Sequence, residues 1–280
     1  MVGTAMAVLL QKAGHRIAAV SDPRAASIKR AVKFLGPVAK VKTSALAPKA
    51  ECFLITTPDG LIQSACAELS SNPAVSGRYV FHVSGAGGLD LLASANKAGA
   101  YVGCIHPLQS FSSIEGAVES LPGSYFGMTV ARGAKTVAGR LVSDFKGIPL
   151  RIRADQKPLY HAAACIASNY FVCLMSCVET LCRACGIPEE DARKAFLPLV
   201  SGSMKNIQQH GAVQALTGPV ARGDLETLQK HILALTDCAP EYLPMYRLLG
   251  DLTTKLALQK KTITAGQAKT ISHFFKRSNV

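Results

Sequence analysis

Along the first half of the chain, apolar residues fall in short runs closed by polar or glycine-containing turns, and between those runs they recur at helical spacing. Residues 16–20, 52–56, 79–83 and 101–104 each read as a short buried strand. Residues 25–35, 60–69 and 89–97 carry the period of a helix. Strands alternating with helices argue for a parallel sheet with crossover helices. After a last strand pair at 128–131 and 148–152 the character changes. Residues 159–185, 189–210, 225–235 and 242–259 are helical in pattern, with breaks at Gly186-Ile187-Pro188, Gly218-Pro219 and Pro240. The expected architecture is an α/β domain over residues 1–153 followed by an all-α domain over 154–280.

Composition narrows the functional classes. With 280 residues, 49% hydrophobic and 18% charged, the chain can bury a real core and is neither disordered, collagen-like nor coiled coil. Its 31 Lys and Arg against 18 Asp and Glu, a difference of 13, point to an anionic ligand. The basic residues are scattered in short pairs such as Lys29-Arg30, Lys260-Lys261 and Lys276-Arg277, and aromatics are 6% with no Trp. A nucleic-acid surface clusters bases and interleaves aromatics, so no nucleic-acid partner is expected. Nine cysteines, an odd number without a framework, read as reduced thiols and a cytoplasmic location. Cys165, Cys173, Cys177, Cys182 and Cys185 share one helical stretch, in which Cys173 and Cys177 share a face and Cys182 and Cys185 point well away from it. They are expected to be small buried hydrophobes and no metal site. No run of 18 charge-free apolar residues is present, so no membrane span is expected, and Met1 to Leu10 lacks the basic region of a secretory signal.

The opening residues resemble the second half of a dinucleotide-binding fingerprint, in which a strand, a Gly-x-Gly-x-x-Gly turn and a helix precede a second strand. Gly3, followed by Thr4, stands where the third glycine allows close helix-to-strand packing. The first strand and earlier glycines are missing, which suggests that Met1 is an internal methionine of a longer natural chain. Past the second strand, Ser21-Asp22-Pro23-Arg24 carries two signals. Asp22 suits the ribose hydroxyl of NAD; Ser21 and Arg24 suit the phosphate of NADP, the favoured cofactor, with NAD possible. Ser21-Asp22 could equally cap the following helix. Thr56-Thr57-Pro58-Asp59 closes the next strand. Thr57 and Pro58 fall beside the dinucleotide, and Asp59 is able to cap a helix. In His82-Val83-Ser84-Gly85-Ala86-Gly87-Gly88, Ser84 and Gly85 would let backbone approach a ligand.

Four ordered blocks resemble a known family. His82-Val83-Ser84-Gly85, His106-Pro107-Leu108-Gln109-Ser110-Phe111, Tyr160-His161-Ala162-Ala163-Ala164 with Ala167-Ser168-Asn169-Tyr170, and Leu216-Thr217-Gly218-Pro219-Val220-Ala221-Arg222-Gly223-Asp224 are similar to those of a bacterial two-domain group. That group joins a Rossmann-like NAD(P)-binding domain to a helical domain of unknown function 2520, in an arrangement like 6-phosphogluconate dehydrogenase. It is similar in architecture to pyrroline-carboxylate reductase, ketopantoate reductase and deazaflavin-dependent NADP oxidoreductase. The resemblance implies an NAD(P)-dependent oxidoreductase and a homodimer. The substrate would be a small anionic carbonyl, imine or hydroxy compound held between the two domains.

His106-Pro107 also resembles the His-Pro loop of prephenate dehydrogenase, which implies an acid/base role for His106 through an imidazole that titrates near neutrality. The bland alternative is a histidine that holds a Pro turn. Gln109 and Ser110 depart from that enzyme and are expected to contact substrate. His161, Cys165 and Asn169, four apart, should share a helix face, where Asn169 would orient a carbonyl and His161 add a proton or charge. No Lys is read on that face. Arg222 would bind an acidic substrate, and Asp224 would cap the next helix. The competing function is a non-catalytic NADP(H) sensor.

Overall fold

The computed structural model describes residues 1–276; Arg277 of the last basic pair lies outside them. They divide into a first compact unit, Met1–Asn169, and a second from Tyr170 onward.

The first unit runs α1 Val2–Lys12, β1 Ala19–Val20, α2 Ala25–Leu35, β2 Ala39–Lys40, β3 Cys52–Ile55, α3 Ile62–Ser70, β4 Tyr79–His82, α4 Ala93–Lys97, β5 Tyr101–Pro107, α5 Ile114–Ser120, β6 Tyr125–Val130, α6 Lys135–Asp144, β7 Ile148–Arg151 and α7 Lys157–Cys165. Strands β3-β4-β5-β6-β7 form one sheet, and β1-β2 form a separate parallel pair. The expected all-parallel sheet is corrected at β6, which runs antiparallel to β5 with Pro107 opposite Phe126. The segment between them returns to the same end of the sheet, where the Leu108 amide bonds the Tyr125 carbonyl, so it never crosses over. The expected strand at 16–20 shrinks to Ala19–Val20, because its partner β2 is only two residues long. The pattern also missed the short helix α5 and helix α6.

Both faces of the sheet are covered, as a parallel core requires. On one face, Ala5, Met6, Leu9 and Leu10 of α1 pack with Phe81, Ile105 and Phe126 and with Val142 and Phe145. Spacings of three and four place those α1 residues on a single stripe. On the other face, Ile62, Cys66 and Leu69 of α3 pack with Phe53, Ile55, Val80 and Val102. Neighbouring β4 residues Val80 and Phe81 thus feed opposite cores, the alternation expected of a strand.

The second unit is helical: α8 Phe171–Ala184, α9 Glu189–Ala215, α10 Pro219–Arg222, α11 Leu225–Cys238, α12 Leu243–Lys260 and α13 Ala265–Lys276. The helical pattern ended at residue 210 for a visible reason: Gly211 sits at φ 75°, ψ 162° and kinks α9. Asp224 caps α11 as expected, accepting bonds from the Thr227 amide at 3.1 Å and hydroxyl at 2.7 Å. Val220, Leu228, Ala257, Ile271 and Phe275 form the core. All nine cysteines are free, but only part of the helical group is buried. Cys177 and Cys182 are buried, whereas Cys173, in the first turn of α8, and Cys185, just past its end, are exposed.

The expectation of no bilayer-length apolar helix is also corrected. Residues Ala154–Ala184 form one, by length and composition alone, with a mean hydropathy of 1.5. Counting only unbroken apolar runs missed it, because residues 158–178, which contain no Asp, Glu, Lys or Arg, are interrupted by His161, Ser168 and Asn169.

Candidate active site

The site is built at the carboxyl ends of β4 and β5. There the strands end in histidines and the chain must turn without leaving buried backbone groups unpaired. His82, the last residue of β4, is fully buried. Its Nδ1 accepts the Ser84 amide proton at 3.2 Å, and its Nε2 lies 3.1 Å from the Gly88 carbonyl. Only the neutral Nε2–H tautomer serves both partners. Burial, followed by the charge of Lys157, pushes its pKa down to about 4.

Ser84 uses every polar atom it has. Its amide donates to His82, its hydroxyl donates to Asp59 at 2.6 Å and accepts the Gly87 amide at 2.8 Å, and its carbonyl accepts from Lys157 Nζ at 3.0 Å and Cys104 Sγ at 3.1 Å. The hydroxyl is therefore committed within the protein. Asp59 likewise receives Ser84 instead of capping a helix as expected. The following residue, Gly85, meets two imidazoles. A Cβ there would lie 2.9 Å from His106 Nε2 and 3.0 Å from His161 Nε2, and would collide with His161 Cδ2. Both Nε2 atoms thus converge on bare backbone.

His106, near the end of β5, is held from the other side by the Tyr160 hydroxyl, 3.0 Å from Nδ1. Tyr160 fits because the residue opposite His106 on β6 is Gly127. A Cβ at Gly127 would stand 2.7 Å from the Tyr160 oxygen. Gly127→Ala is expected to drive Tyr160 off His106, seen as a changed His106 imidazole resonance in the NMR spectrum while the fold is retained. The expected near-neutral titration of His106 is corrected. Burial, then the charge of Lys157, then His161 push its pKa down to about 4. It is an uncharged base at neutral pH. Burial pushes the Tyr160 phenol up to about 12, so it remains a hydroxyl.

The loop at the carboxyl end of β3 contributes Thr57 and the exposed Pro58. Thr57 Oγ1 is buried and makes no hydrogen bond among the described residues, an orphaned donor where a doubly wound sheet receives a ligand. Gly3 packs so tightly that a Cβ would collide with Thr56 Oγ1, the close approach expected of the third fingerprint glycine. Thr4 is half-buried, and the first turn of α1 carries no acidic residue to compete with an anion for its free amides. These features fit a dinucleotide phosphate. Ser21 Oγ bonds Thr43 Oγ1 at 3.0 Å, and Asp22 accepts the Arg24 amide at 2.8 Å and guanidinium at 3.4 Å.

Other expected site residues have surroundings of their own. Gln109 donates to the Ser120 carbonyl and Ser124 hydroxyl and accepts the Ser110 amide, so it braces its own loop. The helix face drawn through His161, Cys165 and Asn169 is interrupted, because residues Ile166–Tyr170 form a π-helix. Asn169 is exposed and bonds neither histidine. Arg222 is exposed at the end of α10 in the second unit. Sequence reasoning missed Lys157, Tyr160 and Gly127. Lys157 and His161 are four apart, so a basic residue one turn before the histidine was the available signal. Among the described residues, no group of three or more His, Cys, Asp or Glu side chains is placed to hold a metal ion.

The buried histidines predict acid sensitivity. A histidine with a depressed folded pKa contributes stability that is fully present above its unfolded value of about 6.5 and is lost as pH falls toward about 4. For His82 the loss is expected to be roughly 3 kcal/mol across that window. Urea titrations at several pH values check it, and His82→Gln should flatten the acid limb.

Residues 1–107 match the model of a Rossmann-like domain, and residues 124–253 match that of the Domain of unknown function (DUF2520). The chain carries a Rossmann-like domain followed by a DUF2520 domain. Three of the four sequence blocks meet around Gly85, spanning the Rossmann-like domain and the start of DUF2520. No curated protein matches the sequence. Among solved structures, protein TM1727 from Thermotoga maritima superposes with a TM-score of 0.72 at 21% identity, covering 91% of this chain and 95% of its own. A protein from Bacteroides fragilis provisionally named an NADP oxidoreductase gives 0.69 at 17%, covering 91% and 93%. Pyrroline carboxylate reductase from Plasmodium falciparum, solved with NADP bound, gives 0.58 at 11%, covering 98% and 94%.

Proposed function

We propose that the chain is an NAD(P)-dependent oxidoreductase acting on a small anionic carbonyl, imine or hydroxy substrate. The observation that carries this reading is the convergence of His106 Nε2 and His161 Nε2 on the bare backbone of Gly85, beside the strand ends where a doubly wound sheet receives its ligand. Fold relatives named as an NADP oxidoreductase and as a reductase with NADP bound support it. The orphaned Thr57 hydroxyl, Gly3 and Thr4 at the head of α1, and Ser21 and Arg24 after β1 would hold the dinucleotide. NADP is favoured over NAD, since Arg24 is exposed while Asp22 is already bonded to it. The bound nicotinamide supplies or accepts the hydride.

The protein's own part is the proton. In the tautomer whose Nδ1–H donates to the Tyr160 hydroxyl, His106 Nε2 carries a free lone pair, and this atom would take the proton of a substrate hydroxyl during oxidation and return it during reduction. His161 would orient the reacting oxygen or nitrogen from the second side. Asn169 remains a proposed group for orienting the substrate, Gln109 and Ser110 proposed contacts for it, and Arg222, in the second unit, a proposed ligand for an acidic group.

We further propose that the protein is a homodimer. Helix α9 leaves Leu197, Leu199, Met204 and Ile207 exposed, a face that a second copy would cover. Sedimentation velocity should give twice the chain mass; a monomer would count against it. The functional reading is tested by thermal unfolding with NADPH and NADH. A ligand of the native state at about a hundred times its dissociation constant adds roughly 2.7 kcal/mol of stability. NADPH is expected to give the larger shift, and no shift with either would overturn the reading.

A further inference from the structure

Lys157 has a side chain only 1% exposed. It enters from the first turn of α7, and its ammonium meets the Ser84 carbonyl at 3.0 Å and the Cys104 sulfur at 3.1 Å. Among the described residues no carboxylate forms an ion pair with it, although a buried cation normally demands one. The nearest compensation is indirect. Asp59 accepts the hydroxyl of the same serine whose carbonyl accepts Lys157. Ser84 thus stands between a carboxylate and an ammonium, and its next residue is the glycine on which both imidazoles converge.

We propose that Lys157 is a positioning residue, a buried cation that pins the Ser84–Gly85 peptide against the imidazoles of His106 and His161 and opposes a second positive charge on the His106 ring. The groups that face His106 are Lys157, Tyr160 and His161 from α7, Asp59 from the loop after β3, and His82 from β4. Of these, Lys157 is the fixed positive charge and Asp59 its only negative counterweight. Like charge disfavours protonation of a neighbour in a site of low dielectric, in line with the depressed titration of His106. Lys157 therefore adds to burial, the larger cause, in keeping His106 a proton acceptor, and Asp59 tempers the effect. The inference rests on the reading of His106 as the proton carrier.

The experiment follows the His106 imidazole titration by NMR on the whole chain without cofactor. A failure of NADPH to bind would therefore leave its result standing. Lys157→Met, which keeps the length and removes the charge, should move the titration up by on the order of one pH unit. Asp59→Asn, at an exposed position where the amide oxygen still accepts the Ser84 hydroxyl, should move it down. The opposite signs are the discriminating feature: mere loosening of the site would admit water and raise the titration in both variants. Unchanged titration in either variant, or a rise in both, would overturn the proposal. If Lys157→Met does not fold, the downward shift in Asp59→Asn decides alone.

Discussion

His106→Ala should lower kcat by about 10²–10⁴-fold, the range supplied by a positioned general acid or base, while the NADPH-induced thermal shift stays as in the unaltered chain. The split follows from placement: His106 Nε2 faces Gly85 and Nδ1 faces Tyr160, so neither nitrogen is available to the proposed phosphate contacts at Gly3 and Thr57. The pH dependence has a definite sign. Oxidation needs the uncharged ring, which persists down to about 4, so the oxidative rate should hold through neutrality and fall only in acid. Reduction draws on the protonated form and should accelerate as pH falls toward the same value. Initial rates in both directions across pH, on the substrate found by a screen of small carbonyl and imine acids, check it. A thermal shift lost in His106→Ala would instead place the ring in the cofactor site.

Phe126→Ala should destabilise the first unit by about 3–5 kcal/mol, the cost of removing a large aromatic from a core that cannot collapse around the gap. Phe126 is fully buried and stacks on Phe145 with ring centroids 5.4 Å apart and planes 7° from parallel. Its neighbours leave no slack: a Cβ at Gly147 would overlap the Phe126 ring. The loss should appear as a lower urea midpoint with an unchanged slope. A change below 1 kcal/mol would mean that the α6 side of the sheet is far looser than its packing indicates.

The sequence pattern made the α/β-then-α order legible because the two periods, near two and near 3.6, change along the chain. Strands β3 and β4 were found nearly to the residue, since their apolar runs are covered on both faces, whereas β5 was found at its start but continues three residues further, to Pro107. The direction of β6 was not legible, because a strand reads the same either way and only the return of residues 108–124 to one end fixes it. At the site, residues following strands were found, and the structure brings Ser84, Gly85, His106 and His161 together. Their uses were less visible. Ser84 offers a hydroxyl in sequence but spends it on Asp59 and Gly87. Lys157 was passed over because a lysine beside a proline in the first turn of a helix reads as solvated surface, although its spacing of four from His161 was a signal. Tyr160 depended on a glycine across a strand pair that was not recognised.

The separation of β1-β2 from the five-stranded sheet has a dynamic consequence. Two residues per strand give that pair few interstrand bonds, and both β2 residues are exposed, so its amides should exchange with deuterated water far sooner than those of β4 and β5. Ser21, Asp22 and Arg24 hang from the end of this pair. Any ligand that grips them must first still the segment, and part of its binding free energy is taken up in that ordering. On the proposed reading of Ser21 and Arg24 as cofactor contacts, affinity for the adenosine end of a dinucleotide would depend on how often this short ribbon is already closed.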